Sequence, residues 1–144
     1  MITHDSAKTF HLCKSTFMDF DPSQEWLETN GIGGFASGTV AGCNTRRYHA
    51  LLCAAVAPPR GRMVLENKVD ETLQIDDQQI PLSCNYFPGV LSPEGYRHLR
   101  EFSVSPLPHW IYETEKCVLE KTLWMPNGQN RTILRYHLRD GDKL

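Results

Sequence analysis

Arg131-Thr132-Ile133-Leu134-Arg135-Tyr136-His137-Leu138-Arg139 is the stretch that decides the fold class. Leu134, Tyr136 and Leu138 alternate with Arg135, His137 and Arg139. A period of two puts the apolar set on one face and the charged set on the other, which predicts a half-buried antiparallel strand. Outward from it the same texture recurs. In Cys117 to Met125, Cys117, Leu119 and Leu123 oppose Glu120, Thr122 and Trp124. Phe102 and Val104 share a face of Arg100–Val104; Pro106 and Pro108 interrupt, and Trp110, Ile111 and Tyr112 resume. Arg46 to Val56 begins polar and turns apolar on both faces, as a central strand entering a core does. It is closed by Pro58-Pro59-Arg60-Gly61. Arg62–Leu73 is a further strand candidate, Lys8–Lys14 alternates weakly, and Gln74–Leu82 reads as a small hairpin turning at Asp76-Asp77. Ser83–Gly95, rich in Pro, Gly and Ser, reads as a loop. No ten-residue segment carries a comparable helical period. The expectation is an all-β protein, an antiparallel β-sandwich, in one domain over residues 1–144.

Composition narrows the function classes. Lys and Arg number 15 and Asp and Glu 17 in 144 residues, a net charge of −2. That balance argues against nucleic acid as a partner, which calls for a strongly basic face, and against an anionic membrane surface. The apolar share of 40% and the mean hydropathy of −0.41 suit a globular domain with a real core. The longest apolar run, Ala50–Ala57, is strand length, well short of the roughly 20 residues of a spanning helix. The five cysteines form no C-x-x-C pair, and the first residues have no basic start followed by an apolar block. Together these predict reduced thiols, no metal site and a cytoplasmic location.

Asn30-Gly31-Ile32-Gly33-Gly34-Phe35-Ala36-Ser37-Gly38-Thr39 is the glycine-rich segment. Gly31, Gly33 and Ala36 match a loose dinucleotide fingerprint, but its context fails. No apolar strand leads in, Gly38 and Gly42 would weaken a following helix, and Val56–Pro59 stand where the ribose-binding acid belongs. No cofactor is expected. The glycines instead describe a tight irregular loop, either a connection between strands or a surface that turns main-chain groups outward. Downstream, Thr45-Arg46-Arg47-Tyr48-His49 places two arginines, a tyrosine and a histidine at the start of a buried strand. Such groups need partners. They suit a sugar, with its apolar ring face and hydroxyl rim, and they equally suit an arginine–carboxylate lock between domains through Glu25 or Glu28. His49 lacks a second ligand at metal spacing.

Glu25-Trp26-Leu27, Thr29–Thr39 and Asn44-Thr45-Arg46-Arg47-Tyr48-His49, followed by Pro58-Pro59 and Gly61-Arg62, resemble the N-terminal domain of bacterial and archaeal glycogen debranching enzymes of the amylo-α-1,6-glucosidase type. The resemblance is sharp from Glu25 to Glu71 and extends more weakly to Leu144. Ala50, Ile32 and Phe35 depart from it, standing where Gly, Leu and Tyr are common. The resemblance implies a mutarotase-like supersandwich packed against an (α/α)6 barrel that carries the catalytic carboxylates later in the parent chain. It implies an α-glucan substrate and a non-catalytic role for this module, with Asn30, Gly31, Gly33, Gly34, Thr45, Arg46, Arg47, Tyr48 and His49 as the substrate- or domain-contact residues. An independent carbohydrate-binding module and a purely structural one are the alternatives. Trp26, Trp110 and Trp124 are candidate sugar platforms, although indoles are more often core. Glu25, Glu28, Glu66, Asp70 and Glu71 sit in polar stretches that predict solvated acids rather than a hydrolytic pair. Asp140-Gly141-Asp142 reads as a hairpin turn with only Lys143 and Leu144 after it. It is either a frayed surface turn or a sign that this is the front part of a longer chain. An unfinished hairpin would leave the 131–139 strand open to weak self-association, opposed by Arg135 and Arg139.

Overall fold

The computed structural model describes the backbone of residues 9–11 and all atoms of residues 23–58 and 60–139. Every sheet is antiparallel, and the described residues include no α-helix. A five-stranded sheet holds β1 (Thr9–His11), β10 (Leu99–Ser103), β11 (His109–Glu113), β12 (Val118–Trp124) and β13 (Ile133–Arg139), in that spatial order. A four-stranded sheet holds β2 (Glu25–Thr29), β3 (Phe35–Thr39), β4 (Ala50–Ala57) and β5 (Gly61–Glu66), also in that order. Two hairpins complete the fold, β6 (Thr72–Ile75) with β7 (Gln78–Pro81) and β8 (Cys84–Phe87) with β9 (Val90–Glu94); one 3-10 turn, Gly95–His98, follows them.

The two large sheets share one core. Trp26 and Ala36 from the four-stranded sheet meet Phe102, Trp110, Tyr112, Leu119 and Leu123 from the five-stranded one. Trp26 and Trp110 meet edge to face, with centroids 5.3 Å apart and planes at 86°. Such a pair contributes about 0.5–1.5 kcal/mol beyond its area. Each indole N–H is also satisfied, by Thr39 O and Val40 O respectively, both at 3.2 Å. Both rings are therefore structural and neither is a sugar platform; Trp124 is half-buried. Cys53, at the middle of β4, is fully buried as a small apolar group.

The 131–139 strand forms as its alternation predicts, paired along β12 from Trp124–Ile133 to Val118–Arg139. Its burial differs from the expectation. Ile133 and Leu134 are half-buried, but from Arg135 onward both faces are exposed, Leu138 at 52%. The cause is position: among the described residues β13 has one neighbour, β12, and of its side chains Leu134 is the one packed against the core. Three further boundaries move. Arg46–Tyr48 is a turn, closed by His49 N–H to Arg46 O at 3.1 Å, and β4 begins at Ala50. The 62–73 candidate divides, β5 ending at Glu66 and β6 starting at Thr72. Ser83–Gly95 is not a loop but the β8–β9 hairpin, turned at Gly89 with φ +82° and anchored by buried Cys84. Its Pro93 is tolerated because, among the described residues, no further strand pairs with this two-stranded ribbon. The hairpin at Asp76-Asp77 forms as expected, with Asp76 at φ 52°. The turn expected at 140–142 and most of the 8–14 alternation lie outside the described residues.

Candidate functional site

The glycine-rich segment and the Thr45–His49 segment do different work. Asn30 directly follows β2 and is completely buried. Its Oδ1 accepts from the backbone N–H groups of Gly34 at 2.8 Å and Ile32 at 3.2 Å. Its Nδ2 donates to Gln129 O at 3.0 Å and Asn130 Oδ1 at 3.2 Å, and its own carbonyl accepts from Gly128 N–H at 2.8 Å. Asn130 in turn mimics a strand. It donates Nδ2 to Ala55 O at 2.8 Å and accepts Ala55 N–H on Oδ1 at 2.9 Å. Thr132 Oγ1 donates to Leu51 O at 2.5 Å. The β12–β13 connection is thus stitched across to the β2–β3 turn and to β4, holding the two sheets in register at this end.

The glycines serve that stitching. A methyl group on Gly34 would stand 2.5 Å from Asn30 Nδ2 and 3.0 Å from Asn130 Oδ1. Gly31 needs φ +76°, and a methyl there would stand 2.2 Å from Asn127 Oδ1. Asn30, Gly31 and Gly34 are therefore committed to structure. Asn127, Asn130 and Thr132 escape sequence reading; the Pro126-Asn127-Gly128 turn signal marks a turn there, but its partner lies about 100 residues away in the chain.

Arg46, Arg47, Tyr48 and His49, by contrast, come together on the outer face of the four-stranded sheet. They line, with Glu25, Leu27 and Phe35, an open concavity of about 500 Å³. A second concavity of about 350 Å³ adjoins it through Phe35 and Tyr48 and is walled by Arg60 and Arg62. Gly33 joins this rim through its carbonyl, which accepts Arg62 Nε–H at 2.6 Å. The loop that presents these groups is stapled at every step. Thr39 Oγ1 accepts Cys43 N–H and donates to Cys43 O, at 2.9 and 2.7 Å. Asn44 Nδ2 donates to Asn67 Oδ1 at 2.8 Å and to His49 O at 3.2 Å. Thr45 contributes its backbone N–H to His49 Nδ1 at 3.1 Å.

His49 is 4% exposed and neutral. Burial pushes its imidazole below the ordinary value, against the opposing pull of the Glu25 carboxylate. Its tautomer follows from its partners. Nδ1 accepts from Thr45, so the proton sits on Nε2, which faces Glu25 Oε1 at 3.3 Å. Neither ring nitrogen has a lone pair left for a metal. Glu25 Oε1 also receives Arg46 Nε–H at 2.5 Å, so one carboxylate clamps both ends of the turn. Arg47 lies over the Tyr48 ring, 5.5 Å from its centroid. Among the residues that line either concavity, Glu25 is the single carboxylate. Hydrolysis of a glycosidic bond by paired carboxylates needs two such groups.

Of the other acids named from sequence, Glu71 is not a solvated surface group. It is 14% exposed and accepts from Lys121 Nζ at 2.5 Å and Tyr136 Oη at 2.6 Å. Burial and the adjacent carboxylate push the Tyr136 phenol up, which keeps it a donor. Lys121 lies 5.2 Å from the centroid of the Trp110 ring. This trio closes the side of the core between β6 and β12 and stands apart from the groove.

No curated protein and no solved structure matches the chain. A protein-family profile described as glycogen debranching enzyme N terminal matches residues 24–144, which takes in the groove, the stitched turn and all strands from β2 to β13. The chain, all-β and antiparallel, therefore belongs to the glycogen debranching enzyme N-terminal domain family.

Proposed function

We propose that this chain is the non-catalytic N-terminal module of a glycoside hydrolase that cleaves α-1,6 branch linkages in a glycogen-like α-glucan. In this reading the two sheets are a sandwich of the mutarotase-like supersandwich kind, filling residues 1–144 as one domain. The module braces a helical catalytic barrel in the same parent chain and lends the Arg46–His49 turn to the glucan cleft. The observation that carries it is the groove: an apolar floor with an arginine rim, held by a stapled loop and lined by one carboxylate. The family membership supplies the α-glucan context. Weak self-association through β13 and a cytoplasmic location belong to the same reading.

Two measurements test it. The chain alone, incubated with a branched α-glucan, should release no glucose above a denatured control; reproducible turnover in independent preparations refutes the non-catalytic role. In the full-length enzyme, Arg47→Ala should lower kcat/KM roughly 10–150-fold, as loss of a charge-assisted contact of about 1.5–3 kcal/mol does. Unchanged kinetics with an unchanged melting temperature would reject any role for Arg47 in the cleft or the domain contact. Loss of stability alone would leave Arg47 as a lock.

A further inference from the structure

The groove carries more positive charge than a neutral glucan requires. Arg46 is neutralised by Glu25. Arg47, Arg60 and Arg62 are exposed, and no carboxylate pairs with them among the described residues. Arg47 has the Tyr48 ring, and Arg62 has the Gly33 carbonyl. Three unneutralised guanidinium groups thus flank two adjoining hollows of a chain whose net charge is −2. The excess is local and is not the reflection of a basic protein.

The geometry also says what kind of anion fits. Arg62 commits only Nε to Gly33, which fixes the plane of its guanidinium and leaves both terminal nitrogens to bind. Arg47 has a cation–π contact with the Tyr48 ring, 5.5 Å from its centroid. A guanidinium is a planar fork that suits the oxygens of a phosphate monoester, which carries nearly two charges near neutrality, and the hollows that hold Arg47 and Arg62 meet at Phe35 and Tyr48. Between them lie Phe35 and Tyr48, which line both hollows and offer apolar faces of the size of a sugar ring. An acidic protein surface would need the charges but not the hollows of about 500 and 350 Å³. We propose that this groove binds a hexose phosphate unit, its ring over Tyr48 and Phe35 and its phosphate held by Arg47 and Arg62, with Arg60 adding charge. The sugar half of this rests on the glucan reading above; the phosphate half does not.

The test is a set of titrations of the 144-residue chain, followed by calorimetry and by NMR shifts. The probes are maltohexaose, the same oligosaccharide bearing a 6-phosphate, glucose 6-phosphate, inorganic phosphate and hexaglutamate. The phosphorylated sugars should bind at least tenfold more tightly than maltohexaose. Arg47→Gln with Arg62→Gln should erase that advantage, so that the phosphorylated sugars bind the variant no more tightly than maltohexaose does. Arg47→Lys with Arg62→Lys, which keeps charge without the fork, should lose part of it, and Arg60→Gln alone should lose a smaller part. Melting curves check that each variant is folded, and the single Arg60→Gln change provides a reading should a double variant unfold. A phosphorylated oligosaccharide that outbinds glucose 6-phosphate identifies the unit as one carried on a glucan; equal binding identifies the free sugar phosphate. Maltohexaose binding the unaltered chain as tightly as its phosphorylated form overturns the proposal and leaves the glucan reading standing. No binding of either sugar overturns both. Inorganic phosphate binding as tightly as the sugar phosphates overturns the role given to Tyr48 and Phe35. Hexaglutamate binding more tightly than any sugar overturns the proposal in favour of an acidic polypeptide partner.

Discussion

Replacing Asn30 with alanine removes one side chain and opens four hydrogen bonds. Two are its own amide donations, to Gln129 O and Asn130 Oδ1; two are acceptances, from Ile32 and Gly34 N–H. At about 1 kcal/mol net for each bond the sum is about 4 kcal/mol. Partial access of water to Ile32 and Gln129 lowers it, and the buried Gly34 N–H left without an acceptor raises it. We expect a loss of about 3–5 kcal/mol, a large fraction of the roughly 5–15 kcal/mol that a domain holds. Urea unfolding of the chain, read by Trp26 and Trp110 fluorescence, measures it. With a slope of about 2 kcal/mol per molar, the midpoint should fall by about 2 M at unchanged slope. Asn30→Asp should be no milder. It keeps the acceptor but sets a carboxylate against Gln129 O and against Asn130 Oδ1, which cannot turn away because Asn130 is fixed at both ends on Ala55. A cycle with Asn130→Ala should show a coupling of about 1 kcal/mol. A loss below about 1 kcal/mol for Asn30→Ala, or additivity of the two changes, would refute the claim that this residue stitches the sheets.

Three more outcomes follow from the same structure. Gly34→Ala drives a methyl into the locked Asn30–Asn130 pair and should cost about 2–3 kcal/mol, more than the roughly 1–2 kcal/mol of Gly89→Ala, which meets only open space at φ +82°; the reverse order of melting temperatures would contradict it. His49 is held neutral by burial, so its contribution to stability is complete above pH 6.5, the value of the unfolded chain, and is lost as the pH falls through its lower folded value. His98, lowered by burial as well, adds a slope of the same sign. His49→Gln should flatten the acid side of the stability profile, and Glu25→Gln, which removes the carboxylate that opposes the burial effect, should lower the His49 titration seen by NMR still further; a rise would show the wrong partner has been named. Lys121→Met strands the nearly buried Glu71 carboxylate with Tyr136 alone and should cost about 2–4 kcal/mol, much of it recovered by adding Glu71→Gln; no recovery in denaturation curves would place the cost in lost packing over Trp110.

How much of this was legible beforehand differs from element to element. β11, β12 and β13 could be read to within a residue or two because alternation is a property of neighbouring residues, and the antiparallel sheet imposes it on each strand separately. The β8–β9 hairpin was not, because Pro, Gly and Ser mark a turn and its flanks alike; what makes Cys84–Phe87 and Val90–Glu94 strands is their pairing, helped by the burial of Cys84 beside Cys43 and Leu91. In the groove, the residue types at 45–49 could be read from the sequence but not their directions: a strand there would put Arg46 and Tyr48 on one face and Arg47 and His49 on the other. The turn closed at Arg46 O turns Arg46, Arg47 and Tyr48 outward together and His49 inward.

The all-β class, the family and the clustering of two arginines, a tyrosine and a histidine at 46–49 could all be read along the chain, since each is written in local spacing or in a contiguous motif. The division of the glycine-rich segment into a structural half and a groove-lining rim comes from the fold. Asn30 is buried because Gln129 and Asn130 arrive from the far end of the chain to satisfy it. Arg60 and Arg62 join Arg47 because β5 pairs back along β4. A buried amide must find its partners and a guanidinium must find its anion wherever the chain brings them, and no local pattern records where that is.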